Sequence, residues 1–152
     1  MSNDTLREAF KITRESCVPF NVNNIIGFPG ETRDLVFDTI ELNREIGAKS
    51  MSCSIFMPYH GTALHRLSVA RGYIGDDTIC PSNNDEAIIN MSSMTKDEIM
   101  GLSRTFVLYA RFPKDRWSEI RLAEQPTEEG RRTLQRLRKE YVETYLPKSS
   151  LS

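Results

Sequence analysis

Two short apolar segments, each running into a Gly/Pro turn and then a helix, constrain this chain more than any other feature. The first, Asn24–Thr32, reads Asn-Ile-Ile-Gly-Phe-Pro-Gly-Glu-Thr, and the second, Phe56–Thr62, reads Phe-Met-Pro-Tyr-His-Gly-Thr. Strands that end in such turns present backbone groups at the carboxyl edge of a parallel sheet, where α/β proteins bind ligands. The pair therefore predicts an α/β fold with a ligand-facing rim.

The spacing of apolar residues predicts helices around two strands. Thr32 is the expected N-cap of the second helix, and Leu35 begins its apolar stripe. The second strand is small or apolar throughout, which is typical of a strand covered on both faces. Two parallel strands with open edges also indicate a piece of a larger barrel or sheet. We expect helices over 4–16, 32–46 and 62–71, and strands over 20–26 and 50–56.

The second half of the chain reads as a long loop followed by helices. Turn-forming residues dominate the stretch after Gly72, and loops of this length are usually functional or mobile. Thr95 and Glu98 then have the spacing of a capping box. Trp117 is expected to pack the helical extension onto the sheet. The chain accordingly divides into three segments, which are 1–72, 73–94 and 95–152.

Composition excludes several classes of protein. The 152 residues carry a formal net charge of −1, whereas general nucleic-acid binders lean basic. No apolar run reaches the roughly 18 to 20 residues of a membrane span, so we expect a cytoplasmic protein with no membrane span and no nucleic-acid partner. Cys17, Cys53 and Cys80 are too far apart for a disulfide framework or a local metal site. We expect Cys17 and Cys53 to be buried.

The residues of the two turns leave their roles open. Glycine admits the close approach of a ligand, yet an ordinary strand-to-helix turn has the same composition. The first turn has neither the Gly-Lys-Ser/Thr of a P-loop nor the spacing of a Rossmann fingerprint. Glu31 is suited either to bind a ligand hydroxyl or ammonium group or to favour the helix N-terminus. Tyr59 and His60 are candidates to line the same cavity, whereas His65 is expected at the surface or in packing.

The two turns, in this order, resemble the radical S-adenosylmethionine (SAM) enzymes, specifically the group that often carries an N-terminal cobalamin-binding domain. Ile-Ile-Gly-Phe-Pro-Gly-Glu-Thr, an amphipathic helix and Phe-Met-Pro-Tyr-His-Gly-Thr-Ala-Leu look like the later strands of that family's partial (β/α)6 barrel. Arg104–Trp117 and the residues that follow are similar to the helical tail of many such proteins. The resemblance implies an α/β fold, the C-terminal part of a TIM-like barrel followed by a helical tail.

The resemblance also implies a contribution to a SAM and substrate cavity. In the family a [4Fe–4S] cluster, held by a CxxxCxxC motif, reduces SAM to a 5′-deoxyadenosyl radical, and cobalamin is a further candidate cofactor. By position, one set of residues takes cofactor-binding roles and a second set lines the cavity. The first set is Ile25, Ile26, Gly27, Gly30 and Glu31, and the second is Pro58, Tyr59, His60 and Gly61.

One departure from the family limits the expected chemistry. CxxxCxxC is absent, and the three cysteines of this chain do not have its spacing. We therefore expect a C-terminal fragment, inactive alone, that needs the missing N-terminal barrel half or a partner chain to act on an unidentified small molecule. The alternative is a non-catalytic or regulatory half-barrel that docks on a full-length relative. A third hypothesis is a small nucleotide-binding domain built on Gly27–Thr32.

Overall fold

The computed structural model describes residues 3–48, 50–81 and 86–146. Parts of the predicted segments, at 1–2, 49, 82–85 and 147–152, lie outside the described residues. Within the described residues the fold is mixed α/β, with six α-helices and one two-stranded parallel sheet. The elements are α1 (Asn3–Glu15), β1 (Asn21–Ile26), α2 (Arg33–Ile46), β2 (Ser50–Ile55), α3 (Ala63–Ala70), α4 (Lys96–Arg111), a 3-10 turn (Lys114–Arg116), α5 (Trp117–Ala123) and α6 (Glu128–Tyr145).

Local capping sets the helix ends where the sequence placed them. The Thr32 hydroxyl accepts a hydrogen bond from the Leu35 N–H, which satisfies a donor left free at the start of α2. Gly47 ends α2 in the left-handed conformation, with φ of 60°. At the start of α4, Thr95 and Glu98 form both bonds of the predicted capping box. The strand and helix bounds expected for the first 72 residues are therefore confirmed to within one residue at each end.

The two strands pair in parallel, with Asn21 opposite Ser50 and Ile26 opposite Ile55. Because side chains alternate along a strand, the sheet has two distinct faces. One, here named the covered face, carries Val22, Asn24, Ile26, Met51, Cys53 and Ile55. The other, here named the open face, carries Asn21, Asn23, Ile25, Ser50, Ser52 and Ser54.

Helices α2 and α4 cover the first of these faces. The Asn24 and Asn43 side-chain amides exchange two hydrogen bonds, of 3.2 and 2.8 Å, between β1 and α2, so both buried amides are satisfied. Helix α4 packs along β2 and places Leu102 and Phe106, both fully buried, in the core. The apolar core therefore lies on one side of the sheet, and the predicted helical extension shares it with the strand–helix units.

Three sequence expectations were wrong about burial. The second strand is not covered on both faces, because Ser50 and Ser52 lie exposed on the open face. Leu35 is 50% exposed, because the buried stripe of α2 runs through Val36 and Ile40 instead. Cys17 is exposed, since it follows the end of α1, a helix with no buried residue.

Trp117 packs against the shared core at the junction of α2, α4 and α5. Its ring lies 5.2 Å from the Phe37 ring and 5.4 Å from the Tyr109 ring, in edge-to-face contacts. It therefore joins the start of α5 to α2 and α4. Arg44 of α2 reinforces this junction by donating to the carbonyls of Tyr109 and Phe112, each at 2.7 Å. These carbonyls belong to the last turn of α4, where a cation is favourable.

A buried ion pair fastens the first turn of α2 to the helical extension. The Arg33 guanidinium donates to both oxygens of Glu124, at 2.8 and 2.6 Å, and the Tyr109 hydroxyl donates to the same carboxylate. Glu124 is 4% exposed, so its charge depends on these partners. Bidentate geometry makes the pair directional as well as charged. The chain just after the first Gly/Pro turn is thereby held against the α5–α6 connection.

We predict that Glu124→Gln lowers the free energy of unfolding by about 3 kcal/mol, because the half-desolvated Arg33 charge loses its counterion. Urea unfolding followed by circular dichroism measures the change. Glu128→Gln is the matched control: Glu128 pairs with Arg131 on the surface, where its side chain is 59% exposed, and the expected loss is at most about 0.5 kcal/mol. Equal losses in the two variants would contradict the prediction.

Candidate functional site

The structure brings the two Gly/Pro turns together at the carboxyl ends of adjacent strands. The Phe56 N–H donates to the Ile26 carbonyl at 2.8 Å, which extends the strand pairing by one residue. Just beyond, the rings of Phe28 and Phe56 lie 4.8 Å apart. The convergence expected for loops that follow neighbouring parallel strands is thus observed. We name the paired turns, Gly27–Thr32 and Pro58–Thr62, the rim.

The backbone donors of the first turn are engaged within the protein. The N–H groups of Gly27 and Phe28 both donate to Glu31 Oε2, at 2.5 and 3.3 Å. The Gly30 N–H points at Met91 Sδ, at 3.2 Å, and the Glu31 N–H donates to the Phe28 carbonyl at 2.9 Å. A phosphate cradle needs free, converging N–H groups. The turn as folded does not offer them, which removes support from the nucleotide-binding hypothesis.

Glu31 has a role that neither sequence interpretation named. Its carboxylate accepts from the N–H groups of Gly27 and Phe28 and so closes the turn. The sequence interpretations had it bind a ligand or favour the N-terminus of α2. Burial raises the pKa of this carboxyl group above its ordinary value, and the bonds from Gly27 and Phe28 oppose that rise. The Glu31 carboxylate thus occupies the position at which the N–H groups of the turn could bind an anion.

The first turn is packed from two further sides. Gly27 has φ of 88°, and a Cβ there would lie 3.2 Å from Ile99 of α4, so both backbone and space favour glycine. A Cβ on Gly30 would lie 2.7 Å from the Arg71 guanidinium, which reaches over the turn from the end of α3 and contacts the Pro29 carbonyl at 3.5 Å. The two glycines admit protein neighbours here, and not solely a ligand.

Exposure separates the candidate residues into two groups. Ile26 is fully buried on the covered face, and its carbonyl is bonded to Phe56. Gly27 and Pro58 are also buried. Ile25 is 49% exposed on the open face, and Tyr59 is 54% exposed. The side chains and surfaces that a bound molecule can reach are those of Ile25, Gly30, Tyr59, His60 and Gly61.

The second turn is held by its own hydrogen bonds. Thr62 caps α3 by accepting from the His65 N–H at 3.1 Å, and its hydroxyl donates to the Tyr59 carbonyl at 2.8 Å. His60 Nε2 lies 2.9 Å from the Thr78 carbonyl in the following loop. That loop therefore contacts the rim.

Sequence reasoning missed four residues that contact the first turn: Arg71, Met91, Ser93 and Ile99. Ser93 Oγ donates to the Glu31 carbonyl at 2.9 Å, and the other three contacts are given above. None carries a local signature, because each acts across at least 40 residues of chain. The one available signal was the length of the loop before α4, which is typical of a segment that packs over a site.

The cysteines do not fit an iron–sulfur cluster. Cys17 is exposed and precedes β1, whereas Cys53 lies in the middle of β2 on the covered face. Burial raises the pKa of Cys53 to about 12, which opposes the thiolate form that a metal ligand requires. In the described ranges no group of three or more His, Cys, Asp or Glu side chains is placed to hold a metal ion. No step of cluster chemistry is therefore assigned to these residues.

Comparison with protein-family models and with curated proteins gives no match for this chain.

Among residues 3–48, 50–81 and 86–146, no helix has both the length and the apolar character needed to cross a membrane. On the surface of α6, Arg131 and Arg132 both pair with Glu128.

We predict that Gly27→Ala destabilises the protein more than Gly61→Ala. Both glycines have positive φ, of 88° and 82°, but an added Cβ meets Ile99 at position 27 and nothing within 4 Å at position 61. Gly61→Ala therefore measures backbone strain alone, about 1 kcal/mol, and Gly27→Ala adds crowding of roughly 1 kcal/mol or more. The midpoints of urea unfolding give the two values. A smaller loss at position 27 would show that α4 does not pack on the turn.

We predict a pH dependence that belongs to Glu31. Because the folded state raises the pKa of Glu31 above 4.5, the folded protein retains the proton that the unfolded chain has released. Stability then falls as pH rises through the window that starts near 4.5. The free energy of unfolding of the unmodified protein, minus that of Glu31→Gln, should decrease from about pH 4 to about pH 7. A difference that grows with pH over that window would reverse the assignment.

Proposed function

We propose that this chain is the C-terminal part of a radical SAM enzyme of the group that carries cobalamin-binding domains. In this proposal it is a cytoplasmic protein that forms one wall of a cavity for SAM and a small-molecule substrate. Its two strands are the later strands of a partial (β/α)6 barrel, and α4–α6 are the helical tail. The cluster, when bound by the complete enzyme, supplies the reductive cleavage of SAM. The chain's own residues bind and orient ligands.

The observation that carries the proposal is the difference between the two faces of the sheet. In the partial barrel that the resemblance implies, helices cover the outside of each strand and the inner face of the sheet borders a ligand cavity. Here α2 and α4 cover one face, while the open face carries asparagine and serine side chains with Ile25 among them. Ser52 Oγ donates to Asn23 Oδ1 across that face at 2.8 Å. A polar face with one apolar side chain is suited to line a ligand cavity.

The sheet edges and the rim support the same proposal. Within the described part of the chain neither strand has a second neighbour, so each leaves a row of backbone groups for another strand. Ile25 lies on the open face two residues before Gly27, and offers apolar contact to a flat ring at the end of β1. Tyr59 and His60 border the same end from β2. Ile26, Gly27 and Glu31 would act indirectly, by fixing the shape of the turn.

The poor fit of the cysteines favours one alternative. A half-barrel that docks on a full-length relative needs no cluster ligands of its own, and it would use the same strand edges. The two proposals differ in whether the assembled cavity performs chemistry. An experiment that supplies the missing half distinguishes them.

The experiment is to co-express the chain with a CxxxCxxC-bearing N-terminal half-barrel of a full-length relative, reconstitute with iron and sulfide, and measure 5′-deoxyadenosine after adding SAM and a reductant. We expect a complex that cleaves SAM, and no cleavage by the chain alone. Ile25→Glu should lower the yield at least about tenfold, because an unpaired carboxylate buried beside a ligand costs more than the ~1.4 kcal/mol that a tenfold change represents.

Leu35→Glu is the matched control, since Leu35 is 50% exposed and Ile25 is 49% exposed, but Leu35 belongs to α2 and not to the open face of the sheet. Its yield should equal that of the unmodified complex. A complex that forms and leaves SAM intact would favour the non-catalytic alternative. A stoichiometric cluster with SAM cleavage by the chain alone would overturn the proposal.

A further inference from the structure

The only two histidines of the chain, His60 and His65, lie against each other in the fold. Their ring centroids are 4.3 Å apart, with the ring planes inclined by 39°. His60 belongs to the second turn of the rim and is exposed. His65 belongs to the first turn of α3 and is 4% exposed. The proposed function assigns no role to the ring nitrogens of either histidine.

His65 carries a polar atom that the described fold leaves unsatisfied. Its Nε2 is buried, and no described group is within hydrogen-bonding reach. Buried polar atoms are nearly always paired, and an orphan in a folded protein indicates a missing water, ion or functional partner. A buried polar atom without a partner destabilises the folded state. The neighbouring group is a second imidazole, and imidazole is the side chain that most commonly binds metal ions.

We propose that His60 and His65 form a binding site for a borderline divalent transition metal ion such as Zn²⁺. Neutral imidazole nitrogen is a preferred ligand for this class of ion. The two rings are in contact, with their centroids 4.3 Å apart, so rotation of the exposed His60 ring lets a nitrogen of each ring reach one ion. His60 reaches the ion by releasing the Thr78 carbonyl, now 2.9 Å from its Nε2, and its exposed position allows that rotation. Solvent completes the coordination.

The consequence for the fold is a link between the rim and α3. The ion ties the Pro58–Thr62 turn, which carries His60, to the helix that carries His65. Bound metal stabilises the folded chain in proportion to the logarithm of the ratio of its free concentration to Kd. This site does not depend on the proposed radical chemistry, because its ligands differ from any cluster ligands and it lies within the isolated chain.

The test uses the tag-free, 152-residue chain, stripped of metal with a chelator and titrated with Zn²⁺ at neutral pH. Isothermal titration should show one ion per chain. Because the chain has only two imidazoles, its proton spectrum has two sets of histidine ring signals, and both should shift together and saturate at the same ratio. His60→Ala should weaken binding by about tenfold or more, since even the loss of a supporting residue has an effect of that size. His65→Ala should do the same.

Two controls separate this site from other donors. Tyr59→Ala changes the same exposed turn and leaves both rings intact, and Cys17→Ser removes the exposed thiol; both should bind Zn²⁺ as the unmodified chain does. His60→Ala is at an exposed position, so the test stands even where His65→Ala impairs folding. Unchanged binding in His60→Ala, loss of binding in Cys17→Ser, or ring signals that do not shift would show an adventitious ion only and overturn the proposal.

Discussion

The rest of the structure depends on a constraint of the parallel sheet: two strands have no apolar interior of their own, and helices must supply it. Helices α2 and α4 do so from the same side, so Ile26, Ile40 and Phe106 belong to one core. This arrangement explains why the helical extension is part of the same body as the strands. It also explains why the opposite face carries asparagine and serine beside Ile25, since polar side chains there remain in contact with water.

The rim depends on that core through long-range contacts. Arg33 is held by Glu124, 91 residues away, and Gly30 by Met91, 61 residues away. Glu31 closes the turn locally at the same time. A turn in which the N–H groups of Gly27, Phe28, Gly30 and Glu31 are engaged internally keeps its shape without a ligand, and such preorganisation lowers the ordering entropy that binding must overcome. The rim is therefore better suited to shape a cavity than to grip an anion through its backbone.

The sequence predicted best what short-range chemistry determines. Thr32, Gly47 and Thr95 end or begin helices through bonds within four residues, and their residue types indicate those bonds directly. It failed at Leu35, because an apolar stripe several residues wide leaves open which edge faces the core. The alternation of Ser50 and Ser52 with Met51 and Cys53 did indicate that β2 has an exposed face and a covered face. Small residues made that alternation easy to misinterpret as cover on both sides. The partners of Glu31 and His65 needed coordinates, since no local pattern places them.

The single-sided core also bears on how this chain would join a larger assembly. Within the described residues neither strand edge pairs with a further strand, whereas the Arg33–Glu124 pair and the aromatic junction at Trp117 lie on the helical side. Docking another strand would therefore add backbone hydrogen bonds without disturbing existing packing. Binding to preformed surfaces avoids the ordering entropy that a disordered segment loses. The same separation leaves Ile25 and the exposed half of the rim available to face the proposed cavity, while Ile26 and Gly27 fix that surface from the core side.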